Sequence, residues 1–259
     1  MSTFLFRDII FGPVRSRRLG ISLGINLLPN DYKFCNFNCI YCECGLTGSK
    51  NINKNKLYLR ENVKLKLNEK LQLMQKNNEP LDVITFAGNG EPTLHPEFDK
   101  IIDDTIEIRN KYFPKARIAV LSNATTIHKE KVFNAFLKID DNILKLDSAF
   151  EKTIKLLNNP IGSFGLDSTI NNLKKFKGNF ILQTMFVRGK YNDIVVDNTT
   201  KKEVEAWLSL LPELNPRLIM IYTIARDTPV AGLEKISVNE LNKIAEKAIN
   251  MGYKVQVSG

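Results

Sequence analysis

Two hydrophobic periods alternate along almost the whole chain. Short apolar runs of strand character fall at residues 20–28, 83–86, 118–121, 143–146, 180–186, 218–222 and 254–257. Between them, apolar residues recur every three or four positions. Val63, Leu67, Leu71 and Met74 predict a helix over 61–75. Phe98, Ile101, Ile102 and Ile108 predict a second, with Pro96 suited to its first turn. A third is expected near 128–138. Asp167 could cap a fourth, carrying Ile170, Leu173 and Phe176. Val204, Trp207, Leu208 and Leu211 mark a fifth. Ser237 and Glu240 form a capping box ahead of Val238, Leu241, Ile244 and Ala248. Repeated strand–helix units of this length imply α/β architecture, with a parallel sheet and right-handed crossovers. A partly closed barrel and a doubly wound sheet both fit, and both place chemistry at the carboxyl ends of strands.

Composition narrows the setting. The 259 residues are 43% hydrophobic and 25% charged, an ordinary globular balance with enough apolar material for a large core. No run of about 18 apolar residues occurs, so no membrane span is expected. The segment beginning Met1-Ser-Thr-Phe lacks the long apolar stretch of a signal peptide. All four cysteines lie within residues 35–44, which favours metal or redox chemistry over disulfides and a cytoplasmic setting. The net charge of +9 admits nucleic acid or another polyanion as partner. Many of the lysines, however, fall among polar residues of expected helices, where solvation alone accounts for them.

Cys35, Cys39 and Cys42 form a Cys-x3-Cys-x2-Cys triplet, with Tyr41 just before its last member. Three thiolates on one short loop can hold three corners of a cubane iron–sulfur cluster, whose full ligation needs four. The iron left open can bind something else, as catalytic metal sites do. A structural zinc site wants four ligands, and Cys44, two residues beyond Cys42, is awkward for tetrahedral closure. His95 and His128 belong to distant segments. Cys44 could hold a second metal, donate a hydrogen atom in catalysis, or be a small half-buried residue.

Other candidates follow the apolar runs. Gly88-Asn89-Gly90-Glu91-Pro92 reads as a strand-to-helix turn, where glycine supplies unusual backbone angles. Ser122 and Asn123 end a strand, where a helix cap or Asx turn competes with ligand binding. Asp147 follows another strand, where it could contact a ligand or simply begin a turn, and Gln183 inside an apolar strand suits a buried partner or ligand. Tyr222 and Thr223 read as structural. Arg15, Arg17 and Arg18 crowd together before the 20–28 run, and guanidinium forks suit phosphate or carboxylate, which makes them candidates for substrate binding.

The triplet with Tyr41 resembles that of the radical S-adenosylmethionine superfamily. The glycine turn resembles its "GGE" element, with Asn89 in place of the middle glycine. Taken with Lys145-Leu-Asp147, Tyr222-Thr-Ile-Ala-Arg226 and the arginine segment, the pattern over about residues 7–235 is similar to the Fe–S oxidoreductase group related to wyosine tRNA-modifying enzymes. The resemblance implies a partial (β/α)6 TIM-type barrel. It would form a single radical SAM core over 1–259, with an N-terminal extension at about 1–19 and a closing helix and strand at about 237–259. It implies a [4Fe–4S] cluster on Cys35, Cys39 and Cys42. S-adenosylmethionine would be held by Tyr41, Gly88, Asn89, Gly90, Glu91, Ser122, Asn123, Asp147 and Gln183. The methionine part would chelate the open iron, and reductive cleavage would give a 5′-deoxyadenosyl radical that takes hydrogen from a substrate. The implied partners are an electron donor of flavodoxin or ferredoxin type and an anionic substrate, tRNA among them. A protein or small-metabolite substrate is the alternative, and a non-catalytic metal-cluster module binding nucleic acid is the reading from another class. The wyosine enzymes carry further cysteines for a second cluster. Only Cys44 remains here, so the wyosine reaction is not the expectation.

Overall fold

The structure, a computed structural model, describes residues 4–47 and 56–259. Met1–Thr3 of the N-terminal segment lie outside the described residues. The first elements in chain order are β1 (Ile10–Ser16), β2 (Gly20–Ile25), α1 (Arg60–Lys76), β3 (Val83–Phe86), α2 (Phe98–Tyr112) and β4 (Arg117–Ser122). They are followed by α3 (Glu130–Phe136), β5 (Asp141–Lys145), α4 (Glu151–Asn158), α5 (Leu166–Lys174) and β6 (Ile181–Met185). The remainder are β7 (Val187–Tyr191), β8 (Ile194–Asp197), α6 (Lys201–Leu214), β9 (Leu218–Tyr222), β10 (Leu233–Lys235), α7 (Val238–Asn250) and β11 (Val255–Ser258).

The main sheet has the order β1-β2-β3-β4-β5-β6-β9-β11. From β2 onward every pairing is parallel, and the repeats β2 to α7 make the expected partial (β/α)6 barrel. The sheet gains one further edge strand: residues 10–16, within the N-terminal extension, run antiparallel to β2. Its period is hidden by a register shift between Phe11 and Val14, at the Gly12-Pro13 pair. The barrel stays open between β1 and β11. The β1–β2 turn stitches this seam: Arg17 Nη1 donates to Gly259 O at 3.0 Å, and Gln256 Nε2 donates to Arg18 O at 3.2 Å.

Strand alternation divides the side chains into two sets. Leu23, Ile25, Ile84, Phe86, Ile118, Val120, Leu144, Leu182, Ile219 and Ile221 face the helices and join the main core. The intervening positions face the barrel axis. Val83, Ala119, Ile143, Ile181 and Met220, one from each of five strands, pack with Leu19 as a separate apolar plug. Two residues further along β4, β5, β6 and β9, the same inward face presents Leu121, Lys145, Gln183 and Tyr222. The plug closes the base, and polar chemistry begins one layer above it.

Several local expectations change. Pro96 stands ahead of α2, whose N-cap is Glu97, because a 3-10 turn at Pro92–Leu94 intervenes. Asp167 does not cap α5; the N-cap is Gly165, and Glu151 Oε2 instead accepts the Leu166 amide at 3.0 Å. Ser237 caps α7 through the Glu240 amide at 3.2 Å, but the Glu240 carboxylate goes to Arg188 rather than closing the box. The short helix α4 and the antiparallel sheet β10-β7-β8 had no clear periodicity in sequence. Val187 and Val196 of that sheet pack with Phe37, Ile40, Tyr41 and Leu157, bracing the cysteine loop from the side.

Candidate functional site

The cysteine loop leaves β2 and is clamped on two sides. On one side Phe34 pairs with Gly90 in a parallel bridge. The Phe34 amide donates to Asn89 O at 2.7 Å, and the Glu91 amide donates to Phe34 O at 3.1 Å. Gly90 has φ +143°, and a Cβ there would lie 1.9 Å from Phe34 O, so only glycine permits this approach. On the other side the end of α4 supplies acceptors: Ile40 N donates to Leu157 O at 2.9 Å, and Asn38 N to Asn159 O at 3.0 Å. The clamp directs Cys35, Cys39 and Cys42 into one cavity of about 1150 Å³, counting its open mouth.

The charges around the thiols suit a bound anionic cluster. Burial pushes the Cys35 thiol up to about 12, opposed by Lys33. Burial also raises Cys39, opposed first by Lys145. Cys42 is lowered, first by the neighbouring Cys44 thiol and then by Lys33, while Cys44 is raised by the same contact. Lys33 is buried with its Nζ 3.0 Å from Gly45 O. Burial works against its charge, yet Cys42, Cys35 and Cys39 raise its pKa overall. A buried ammonium among three thiols offsets the negative charge that three thiolates on a cluster would carry. Among the described residues no three His, Cys, Asp or Glu side chains converge tightly enough for a single metal ion. In a cubane each thiolate holds its own iron, so the three sulfurs need not converge on one point, and the residues present fit that group.

Beside the cysteine loop, Glu91 organises the wall made by the ends of β3 and β4. Its Oε1 accepts from Thr93 Oγ1 at 2.5 Å, Thr93 N at 3.2 Å and Ser122 Oγ at 2.9 Å; its Oε2 accepts from Asn123 N at 2.7 Å. These donors are all neutral. Burial raises the carboxyl's pKa, opposed by the same hydrogen bonds. A cationic ligand would stabilise the ionised form. The Asn123 side chain turns to the cysteine loop, with Nδ2 2.8 Å from Asn36 Oδ1 and 3.7 Å from Cys35 Sγ.

A third wall carries a buried polar chain. Tyr41 donates its hydroxyl to Asp147 Oδ2, and Asn158 Nδ2 reaches Tyr41 Oη and Asp147 Oδ2, each at 2.7 Å. Asp147 Oδ1 accepts the Met185 amide at 2.9 Å. Lys145 Nζ lies 2.8 Å from Tyr222 Oη and 3.4 Å from Asp147 Oδ1. Burial opposes its charge, but Asp147 and Tyr222 raise its pKa overall.

The cavity thus brings together Cys35, Cys39, Cys42, Cys44, Tyr41, Gly88, Gly90, Glu91, Ser122, Asn123 and Gln183, with Arg17 and Arg18 at its seam side. Three sequence candidates do not line it. Asn89 turns its side chain away, donating to Phe6 O at 2.8 Å and Pro29 O at 2.7 Å, and so pins the N-terminal segment. Asp147 stands behind Tyr41 with its oxygens engaged. Arg15 is exposed on β1. Lys33, Asn158 and the Arg226–Glu43 pair (2.8 Å) were not singled out from sequence. The signal for Lys33 was a lysine between Tyr32 and Phe34, two residues before a cysteine. Asn158 gave none, because its role depends on where α4 ends.

Comparison with known proteins places this geometry. The profile of the radical SAM superfamily matches residues 30–211. UPF0026 protein MJ1312 of Methanocaldococcus jannaschii is 33% identical over 241 residues, covering 91% of this chain and 70% of that protein. By fold, the chain is similar to a radical SAM methyltransferase from Sphaerobacter thermophilus (TM-score 0.68, 13% identity, 92% of this chain, 65% of that one). It is also similar to TYW1 with a lysine–pyruvate adduct bound (TM-score 0.55, 16% identity, 88% of this chain, 73% of that one). With the profile spanning most of a chain whose three thiols and glycine turn line one cavity of a partial barrel, this protein belongs to the radical SAM superfamily.

Proposed function

We propose that the cavity holds a [4Fe–4S] cluster on Cys35, Cys39 and Cys42 with S-adenosylmethionine beside it, and that the protein abstracts hydrogen from a substrate. When bound, the cluster would supply the electron that splits the sulfonium, giving methionine and a 5′-deoxyadenosyl radical. The observation that carries this reading is that buried Cys35 and Cys39, half-buried Cys42, Lys33 and Glu91 all line one cavity. Glu91, already oriented by Ser122 and Asn123, would receive the methionine ammonium. Gly88 and Gly90 let the turn before Glu91 pack closely, since a Cβ would meet Asn26 at the first and the Phe34 carbonyl at the second. Tyr41, held by Asp147 and Asn158, would offer a fixed aromatic surface for the adenine. Gln183, on the inward face of β6, would complete the polar lining. Cys44 is near enough to act on a substrate, but nothing in its surroundings requires that.

The electron would come from an external donor of flavodoxin or ferredoxin type. No described helix is long and apolar enough to cross a membrane, and a cytoplasmic setting accords with the reduced thiols the cluster needs. A tRNA substrate is the second reading, favoured by the net charge of +9. Anaerobic reconstitution tests the cofactor reading: about four irons per chain should bind, and S-adenosylmethionine should perturb the spectrum of the reduced cluster. Failure of either removes the reading. Comparing RNA nucleosides from cells with and without the protein tests the tRNA reading, which an unchanged profile would exclude.

A further inference from the structure

Resting on that reading, we infer that the seam side of the cavity is a subsite for a compact anionic group of the substrate, held by Arg18 and Lys145 around Tyr222. Lys145 Nζ lies 2.8 Å from Tyr222 Oη and 5.2 Å from the ring centroid, and the Arg18 guanidinium lies 4.8 Å from the same centroid. Two cations therefore share one phenol. The carboxylate of Asp147 reaches Lys145 only at 3.4 Å and is otherwise engaged by Tyr41, Asn158 and the Met185 amide. Arg18 Nη1 is buried and has no acceptor among the described residues. A buried N–H without a partner is uncommon in a folded protein, and a cation's N–H is the most costly kind to leave so.

The rest of the cavity does not supply what is missing. Glu91, its buried acid, lies on the wall made by the ends of β3 and β4 and is occupied by Thr93, Ser122 and Asn123. Glu43 is taken by Arg226. The methionine ammonium and the substrate anion would thus be recognised by different groups of one cavity, whose lining also includes the apolar Leu121 and Met185. A guanidinium fork beside an ammonium and a phenol suits a carboxylate or a phosphate. Arg18 Nη1 is buried and the Lys145 side chain is 14% exposed, so a terminal carboxylate or phosphate fits this subsite better than a phosphodiester within a nucleic-acid backbone.

The test uses reconstituted protein saturated with S-adenosylmethionine, titrated with malonate, inorganic phosphate and the neutral analogue malonamide while the thermal midpoint is followed. Malonate or phosphate should raise the midpoint saturably and malonamide should not; which anion acts at lower concentration separates the carboxylate from the phosphate source. Arg18→Gln should weaken the anion response at least about tenfold, the loss expected for one charge-assisted hydrogen bond. Arg18→Lys should recover part of it. Both should bind S-adenosylmethionine like the wild type, which also shows that they fold. The inference is overturned if neither anion acts on the wild type or if Arg18→Gln responds unchanged. It is also overturned if that variant loses S-adenosylmethionine affinity, which would give the orphan N–H to the methionine carboxylate. Failure of the wild type to bind cluster or S-adenosylmethionine is scored separately, in the same preparation before any anion is added, and would remove the underlying reading as well.

Discussion

Glu91 Oε2 accepts the Asn123 amide at 2.7 Å, joining the turn after β3 to the end of β4. Its other oxygen takes Ser122 and Thr93, so the carboxylate is built into the wall before any ligand arrives. Glu91→Gln would set an amide donor among existing donors. The apoprotein is expected to lose about 1–3 kcal/mol of stability, and affinity for S-adenosylmethionine to fall about tenfold or more. The cluster should remain, since Glu91 is not one of its ligands. Chemical denaturation and equilibrium binding on reconstituted protein check both parts. Function that survives Glu91→Ala would instead favour a non-catalytic cluster module.

Cys42 and Cys44 should part company on substitution. Cys44 Sγ donates to Gly88 O at 3.4 Å and lies beside Cys42, but the triplet needs only three thiolates. Cys42→Ala is expected to abolish cluster assembly, whereas Cys44→Ala should retain about four irons per chain. Iron and sulfide analysis decides. A zinc site using Cys44 as fourth ligand would lose its metal in both variants.

Gly90 and Gly162 both have positive φ, at +143° and +89°. A Cβ at Gly90 would collide with Phe34 O, while none of the atoms around Gly162 comes within 4 Å of one. Gly162→Ala should therefore cost about 1 kcal/mol, from backbone strain alone. Gly90→Ala should cost about 3 kcal/mol or more and displace the cysteine loop, lowering cluster occupancy. Denaturation midpoints and iron content measured in parallel separate the two.

The sequence was legible where a residue's environment follows from local pattern. The seven parallel strands, the triplet and the placement of Gly88–Glu91 after β3 all have short-range signals. What was not legible depends on distant segments. Asn89 sits in a motif that suggests ligand contact, yet its side chain is drawn to Phe6 and Pro29. Asp147 is drawn behind Tyr41 by Asn158, more than ten residues away on α4. Arg15, Arg17 and Arg18 look equivalent in the chain. Only the β1–β2 pairing, masked by Gly12-Pro13, puts Arg15 outside and Arg18 within.

His95 gives a pH dependence with a definite sign. Its Nε2 lies 2.8 Å from Tyr58 O, and its Nδ1 accepts the Glu97 amide at 3.2 Å, so the neutral Nε2–H form fits the site. Burial lowers its pKa below the ordinary 6.5. The unfolded chain then takes up a proton that the folded one refuses. Stability from this group is complete above about pH 6.5 and declines as pH falls toward the folded value, by at most about 1.4 kcal/mol per pH unit. Denaturation of the wild type and His95→Asn between pH 7 and 5 should show the shallower slope in the variant. Parallel slopes would contradict this.

The central claim is that the three thiols carry a cluster that uses S-adenosylmethionine on the Glu91 wall. The most direct measurement is 5′-deoxyadenosine, quantified by mass spectrometry after the anaerobically reconstituted protein is reduced with dithionite in the presence of S-adenosylmethionine. The wild type is expected to form 5′-deoxyadenosine and methionine together, Cys42→Ala none, and Glu91→Ala much less. A wild-type protein holding about four irons per chain that forms none of the nucleoside would contradict the account.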